Sequence, residues 1–354
     1  MEVVSLTSLA IPINSNDSSQ IGHARRLASS LATSMGFGEL RIAELGIIVT
    51  EAARNIANHA GQGTILLSPQ PAGRPDDEVR IDIYALDSGP GILNIPRAQV
   101  DGFSTAGTPG QGLGAISRLA SDTHIYSAPQ KGTILFASVS RNSESGIQTS
   151  ELLTSRELND QDRPPSCAAI CIPIHGETVC GDAWAWHHTR DRQIYILADG
   201  LGHGPNAAEA SQEALRVFET SWAQPPERIL KEIHGALAKT RGAAVSIAEV
   251  LPDAGVVNFA GAGNVVGAVH SGGKTRNMVS MNGTIGHSVA RLQQFSYPWE
   301  RNSILIMHSD GLTTRWNVEQ YSGLSSGHPA LLAGALFRDF QRGRDDATVL
   351  VSRR

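Results

Sequence analysis

The chain has 354 residues, 41% of them apolar, and a formal net charge of -5, which gives two ordinary domains room for their own cores and excludes an intrinsically disordered chain. This acidic balance supplies no basic patch, so neither nucleic acid nor an anionic membrane surface is an expected partner. No stretch reaches the roughly 18 consecutive apolar residues of a membrane span, and residues 1–13 lack the basic lead-in and cleavage site of a signal peptide, so a soluble, cytoplasmic protein is expected.

In chain order, Leu9, Ile11 and Ile13 alternate like a strand. Ser18 and Ser19 offer helix caps, and Ile21, Ala24, Leu27, Ala28, Leu31 and Met35 recur at helical spacing up to Gly36. A second helix over residues 40–59 puts Glu51, Asn55 and Asn58 on one face. Strands at 64–68 and 79–86 flank a Pro/Gly/Asp turn, and the second runs directly into Asp87-Ser-Gly89-Pro-Gly91. The glycine-rich run from Gly107 to Gly114 leads into a helix over 113–120, and strands near 124–127 and 133–139 close the first domain, residues 1–140. Residues 141–166 turn Ser-rich and polar and end in Pro164-Pro165, the composition of a linker.

The second domain, residues 167–354, opens with strands at 168–174, 182–189 and 193–198, the last running into Asp199. Helices follow at 207–222 and 226–240, then strands at 244–250, 256–260, 265–270, 304–307 and 348–352, with one helix at 329–341. This is an α+β order rather than a βαβ repeat. Cys167, Cys171 and Cys180 are too few for a four-ligand structural zinc site and read as reduced, half-buried strand residues.

A Mg-nucleotide site needs an oxygen ligand for the cation, a polar group for the adenine and backbone N–H groups near the phosphates, which glycines leave accessible. Asn55 would ligate Mg²⁺, Asp87 would accept from the adenine amino group, and the run Gly107-Thr-Pro-Gly110-Gln-Gly112-Leu113-Gly114 would wrap phosphates onto the next helix. Taken one at a time, each piece also fits a tight turn, a flexible loop or a surface amide. Their order and their helix, strand-turn and loop-helix contexts favour the pocket. Glu51-Ala-Ala-Arg-Asn55-Ile-Ala-Asn-His59, Asp87-Ser-Gly89-Pro-Gly91, Gly110-Gln-Gly112-Leu113-Gly114 and Gly132-Thr133 resemble the successive boxes of the GHKL ATPase family. Within it they resemble the small serine kinases and anti-sigma factors of bacterial partner-switching systems, closest to the RsbT type. The resemblance implies a Bergerat-type α/β sandwich, ATP with Mg²⁺ held by Asn55, Asp87 and Thr133 at the adenine, and Glu51 as general base toward a substrate hydroxyl. A carboxylate one turn from the Mg²⁺ ligand suits that role, although Glu51 also fits a helix-capping or ion-paired carboxylate. His23 and His59 read as structural.

In the second half, Asp182, Asp199, Asp310 and the pair Asp345-Asp346 all fall at or near strand ends, where a fold can converge them. Hard carboxylate ligands suit Mg²⁺ or Mn²⁺, and a two-metal site suits phosphomonoester hydrolysis; separately, such residues are also common in turns and caps. Cys180-Gly-Asp182, Ala198-Asp199-Gly200-Leu-Gly202-His203-Gly204, Phe259-Ala-Gly261-Ala-Gly263-Asn264, Asn282-Gly-Thr-Ile-Gly286, Ser309-Asp310-Gly311 and Asp345-Asp346-Ala-Thr348 resemble the metal-dependent PPM phosphatases of the SpoIIE kind, in a short version similar to RsbX. This resemblance implies a PP2C-like α/β-β/α sandwich and two Mg²⁺ or Mn²⁺ ions. Asp199 would bridge them, Gly200 would offer its carbonyl, and Asp310 and Asp345 would complete one ion. Asp182 would bind through water, and Asp346 would stand behind the direct ligands. His203 fits a general acid or a packing residue; Gly261 and Gly263 fit close strand packing.

Together the resemblances imply a bifunctional enzyme of a partner-switching pathway, a serine kinase joined to a phosphoserine phosphatase, acting on a STAS-domain regulator of the RsbS or anti-anti-sigma kind. A further regulatory protein would be a second partner, and nucleotide or partner binding at the first domain would gate the second. The alternative is a phosphatase whose first domain only binds ATP, as a sensor or anti-sigma-like module.

Overall fold

The computed structural model describes residues 7–70, 79–98, 112–142 and 166–353. The chain divides into two compact units, one built from most of residues 8–161 and the other from most of 162–354.

The first unit is a five-stranded sheet in the order β1-β2-β3-β5-β4, with β1 at Leu9–Asn14, β2 at Gln62–Gln70, β3 at Arg80–Asp87, β4 at Asp122–Ser127 and β5 at Thr133–Ser140. Every neighbouring pair is antiparallel. Its helices are α1 (Ser19–Ser34), α2 (Glu39–Asn55), the short α3 (Ile95–Ala98) and α4 (Gly112–Leu119). Strand alternation selects the helix-facing side: Ile65 and Leu67 of β2, Ile81 and Ile83 of β3, and Leu135 and Val139 of β5 share one core with Leu45, Ile48 and Val49 of α2. The buried ridge of α1 is Ala24, Ala28 and Ala32, a four-residue repeat of small side chains that lets the helix lie close.

The second unit stacks two five-stranded sheets, ordered β15-β10-β9-β8-β7 and β12-β11-β16-β17-β6. In chain order the strands are β6 (Ser166–Ile172), β7 (Asp182–His188), β8 (Gln193–Gly200), β9 (Ala243–Leu251), β10 (Val256–Ala262), β11 (Val266–Ser271), β12 (Lys274–Asn277), the two-residue β13 (Gly283–Thr284) and β14 (Ser288–Val289), β15 (Gln294–Pro298), β16 (Ile304–His308) and β17 (Ala347–Arg353). One core is shared by the facing sheets, with Trp184, Tyr195, Leu197 and Phe259 from the first against Ala169, Leu305, Met307 and Leu350 from the second. The opposite side of the first sheet, through Ile194, Ile196, Val245 and Ile247, packs on Ala214 and Phe218 of α5 (Pro205–Ser221) and Ile229, Leu230 and Ile233 of α6 (Pro226–Ala236). A last helix, α7 (Pro329–Phe340), lies on β6 and β17. Helices outside two central sheets make the α/β-β/α sandwich, and the whole chain is a two-domain α+β protein.

Several expectations shift. Asp17 rather than Ser18 or Ser19 supplies the side-chain cap of α1: its Oδ1 accepts from Ser19 N at 3.0 Å and Ser19 Oγ at 2.6 Å, because Ser18 already has helical φ and ψ of -64° and -17° and makes no side-chain cap. The helix expected over 40–59 ends as α-helix at Asn55 and continues as a π turn, Ile56–Ala60. β12 to β15 were not expected; β12, Lys274–Asn277, is wholly exposed, so no apolar alternation marks it. The linker expected over 141–166 falls mostly outside the described residues, and Ser166 begins β6. The cysteines are fully buried and unbridged, with Cys180 in the turn before β7 rather than in a strand. Among the described residues no helix is long and apolar enough to cross a membrane.

Candidate active sites

The first unit closes around a cavity of about 1000 Å³, lined by Glu51, Asn55, Asp87, Gly91, Gly112 and Thr133 among others, within the size range of ligand pockets. Glu51 and Asn55 lie one turn apart at the end of α2, where the π turn begins, and such turns are frequent at functional sites. Gly112 begins α4 against both side chains: a Cβ there would lie 3.0 Å from Glu51 Oε2 and 3.5 Å from Asn55 Oδ1. The absent side chain thus opens the α4 N-terminus, whose first N–H groups have no partner within the helix, toward the carboxylate and the amide.

Glu51 Oε1 also accepts from Arg54 Nη1 at 2.8 Å, so the ion-paired reading of Glu51 and the base reading coexist in one side chain. Arg54 is 57% exposed, and an exposed pair of this kind contributes only about 0.2–1 kcal/mol, so it does not lock the carboxylate away.

At the other end of the cavity Asp87 ends β3, and its Oδ1 accepts the backbone N–H groups of Gly89 at 2.9 Å and Thr133 at 3.1 Å. Gly132 makes this possible: with φ of +77° and a would-be Cβ 2.0 Å from Asp87 O, only glycine lets β5 start there. Gly89 packs on Ala60, and Gly91 on the Ala128 carbonyl. Ser127, which the sequence did not single out, ties this end together. Its Oγ accepts Ile92 N–H at 2.8 Å, donates to Gly132 O at 2.9 Å and lies 3.0 Å from Thr133 Oγ1. Leu113 lines the cavity and Gly114 is buried in α4; Gly107 and Gly110 lie outside the described residues. Asn58 and His59 are exposed on its lip.

These residues fit a Mg-nucleotide. Among the described residues Asn55 Nδ2 is a buried donor without a hydrogen-bond partner, a costly state unless it meets an acceptor outside the chain such as a phosphate oxygen, which would leave Oδ1 for the cation. Gly112 keeps open the space a side chain would fill.

In the second unit the strand ends deliver carboxylates. Register places Asp182, first in β7, directly across from Asp199 near the end of β8, so two acids occupy adjacent strands on one side. Asp310 follows β16, and Asp345 and Asp346 precede β17. Burial, then Asp182, Asp310, Asp345 and Asp346 in that order, push the Asp199 carboxyl up to about 9. Asp182 is pushed up to about 7, by burial first and Asp346 and Asp345 after it, against the opposing side-chain hydrogen bonds of Ser309 and then Thr348. Asp310 is also raised by burial and by Asp345.

Asn264, quoted in the sequence pattern without a role, donates Nδ2 to Asp310 Oδ2 at 2.7 Å. Asp346 gives both oxygens to backbone donors, Ile174 N–H and Gly181 N–H, each at 2.7 Å, the arrangement of a group that holds the loop behind the ligands. Gly200 ends β8 against α5, where a Cβ would meet Ala207 O at 2.0 Å. His203 is exposed, its Nδ1 2.9 Å from Glu177 Oε1; any acid role would fall to Nε2. Would-be Cβ atoms at Gly261 and Gly263 would come within 2.5 Å of Ser246 Oγ and 2.4 Å of Ala244 Cβ, the close packing expected of them.

The donor set fits divalent cations. Among the described residues none of Asp182, Asp199, Asp310 and Asp345 makes an ion pair, and although Arg342 offsets part of the repulsion at Asp310, burial and neighbouring carboxylates still raise Asp182, Asp199 and Asp310, a self-repelling group of hard oxygen donors. Asp199, Asp310 and Asp345 would hold the cations, with Asp182 beside them.

Comparison with known proteins finds a match in each unit. Residues 14–138 match the histidine kinase-like ATPase domain, and residues 189–354 match the stage II sporulation protein E family, a stretch that contains Asp199, Asp310, Asp345 and Asp346 and begins after Asp182. Serine/threonine-protein kinase RsbT of Bacillus subtilis is 38% identical over 110 residues, 31% of this chain and 80% of that protein. A solved chain from a study of the bacterial stressosome as a modular system adapted to control secondary messenger signaling aligns with a TM-score of 0.51 at 23% identity, over 54% of this chain and 100% of its own. RsbX in complex with magnesium aligns at 0.48 and 23%, over 53% of this chain and 94% of its own. The chain belongs to the RsbT family of histidine kinase-like ATPase domains through its first unit, fused to a second unit that matches the stage II sporulation protein E family over residues 189–354.

Proposed function

We propose that the protein is a bifunctional regulatory enzyme of a bacterial partner-switching pathway, acting in the cytoplasm on a STAS-domain protein. The first unit phosphorylates a serine with ATP and the second removes that phosphate. The observation that carries the reading is the convergence of groups distant in sequence: Glu51, Asn55 and Gly112 at one cavity, and four strand-end carboxylates in the other unit.

In the kinase, Asp87 and Thr133 orient the adenine, Asn55 holds the nucleotide's Mg²⁺, and the N-terminus of α4 receives phosphate oxygens. Glu51 would take the proton of the substrate hydroxyl as its oxygen bonds to the γ-phosphorus and the bond from that phosphorus to the β–γ bridging oxygen breaks, releasing ADP. In the phosphatase, divalent cations, when bound, lower the pKa of a water and neutralise the phosphate. Asp199, Asp310 and Asp345 hold and orient them, while Asn264 and Asp346 fix the geometry of those ligands.

A second reading, in which the first unit binds ATP without transferring it, is favoured by the Glu51–Arg54 ion pair. The test uses full-length Asp199→Asn protein, labelled ATP and candidate STAS proteins from the same source. Label accumulating on the STAS serine, and lost in the Asn55→Asp, Asp199→Asn double variant, supports the kinase; nucleotide binding without transfer to any candidate supports the binding module. Phosphorylation that survives Asn55→Asp would sink the proposed site.

A further inference from the structure

Among the described residues the Asp199 side chain has no hydrogen bond, whereas Asp182 has a built support. Ser309 Oγ lies 2.6 Å from Asp182 Oδ2 and 2.9 Å from Thr348 N. The Thr348 N–H can only donate, so the hydroxyl accepts from it and turns its own proton to the carboxylate. The Ser309 backbone is fixed on both sides: its N–H donates to Thr348 O at 3.0 Å, and its carbonyl lies 2.8 Å from His308 Nδ1.

A carbonyl can only accept, so His308 carries its proton on Nδ1. Its Nε2 is then an acceptor, and it faces a pure donor, Trp316 Nε1–H, at 3.0 Å. The direction of every hydrogen bond from Trp316 through His308 and Ser309 to Asp182 is thereby assigned. Ser309 and His308 are fully buried and Asp182 is 4% exposed, so water does not compete for these groups. The strand ladder needs only the Ser309 backbone; the hydroxyl adds a link to the acid.

We propose that Ser309 is the positioning residue that fixes the rotation of the Asp182 carboxylate at the divalent-cation site, with His308 and Trp316 as its support. The inference rests on the phosphatase reading of the second unit. Asp182 starts β7, and a carboxylate there without a side-chain tether would lose rotational freedom only when a cation binds. The Ser309 hydroxyl imposes that order beforehand, as hydrogen-bonding partners behind metal ligands do elsewhere.

The experiment titrates Mn²⁺ calorimetrically into chelator-stripped, full-length wild type, Ser309→Ala and Trp316→Phe, with thermal melts in chelator to establish folding. Ser309→Ala is expected to weaken Mn²⁺ binding by about 10- to 100-fold, and Trp316→Phe, which keeps an aromatic side chain but removes the indole N–H along with part of the ring volume, by a smaller factor. With a small aryl phosphate, the Mn²⁺ concentration for half-maximal rate rises correspondingly, while kcat at saturating Mn²⁺ changes less. Wild-type Mn²⁺ affinity in folded Ser309→Ala overturns the proposal, as it does in Trp316→Phe should Ser309→Ala fail to fold. Wild type that binds no Mn²⁺ overturns the phosphatase reading, and this inference with it.

Discussion

Asp199→Asn is expected to stabilise the metal-free protein while abolishing its phosphatase activity. Burial and four neighbouring carboxylates push Asp199 up to about 9 in the folded state, whereas in the unfolded chain it titrates near its ordinary value of about 3.9. Between those values the folded state keeps a proton that the unfolded state has lost. Stability changes with pH in proportion to protons bound unfolded minus protons bound folded. That difference is negative here, so the metal-free wild type loses stability as pH rises from about 4 toward 9. Asp182, raised to about 7, acts with the same sign.

At pH 7 the Asp199 imbalance corresponds to about 4 kcal/mol at roughly 1.4 kcal/mol per pKa unit. An effective dielectric near 20 at such sites brings the expected gain from the amide to about 2–3 kcal/mol. No hydrogen bond is lost, because Asp199 makes none among the described residues. For a unit of this size the gain amounts to about 5–10 °C in Tm. The assay is tryptophan-fluorescence melting in chelator from pH 4 to 9, with and without Mn²⁺. The variant should melt higher at pH 7, the two curves should converge near pH 4, and Mn²⁺ should raise the wild type by about 2.7 kcal/mol at a hundredfold excess over Kd and the variant far less. A variant less stable than wild type at pH 7 in chelator, or equal stabilisation of both proteins by Mn²⁺, would refute the reasoning.

Glu51→Gln should abolish phosphoryl transfer while ATP affinity, measured by calorimetry, stays within about threefold, since the carboxylate acts on the acceptor proton; Arg54→Ala should leave transfer intact. Gly112→Val places methyls against Glu51 and Asn55 and should weaken nucleotide binding by more than about tenfold, or roughly 1.4 kcal/mol, with the far-UV spectrum unchanged. Gly132→Ala, at φ of +77° and 2.0 Å from Asp87 O, should cost at least about 1–3 kcal/mol and show as a lower first transition in calorimetric melting. Asp346→Asn turns an amide NH₂ toward one of two backbone donors and should destabilise the second unit by about 1–3 kcal/mol, read from its denaturant midpoint.

Local chemistry was legible wherever a single element carries it. The three- and four-residue spacing of α2 places Glu51 and Asn55 on one face in any context, and the strand alternation of β3 runs into Asp87 by its own pattern. Gly112, Gly132 and the strand-end aspartates stood out because glycine tolerates contacts that no side chain does, and because acids at strand ends are open to convergence. Elements without periodicity were not legible: β12 is wholly polar, β13 and β14 have two residues each, and the π turn at residues 56–60 looks like helix in sequence.

The sequence by itself therefore determined two α+β units, the face of α2 and the identity of the acids. Only the tertiary structure decided how they meet. The Asp182–Asp199 pairing depends on the register of β7 against β8. Asn264 reaches Asp310 across 46 positions, and Ser309 reaches Asp182 across 127. Ser127, Asn264 and Ser309 are ordinary polar residues in sequence, and each became informative through a partner brought near by strand pairing. Such pairings are set by whole sheets burying their faces together, and no local pattern around a serine or an asparagine encodes which distant carboxylate it will hold.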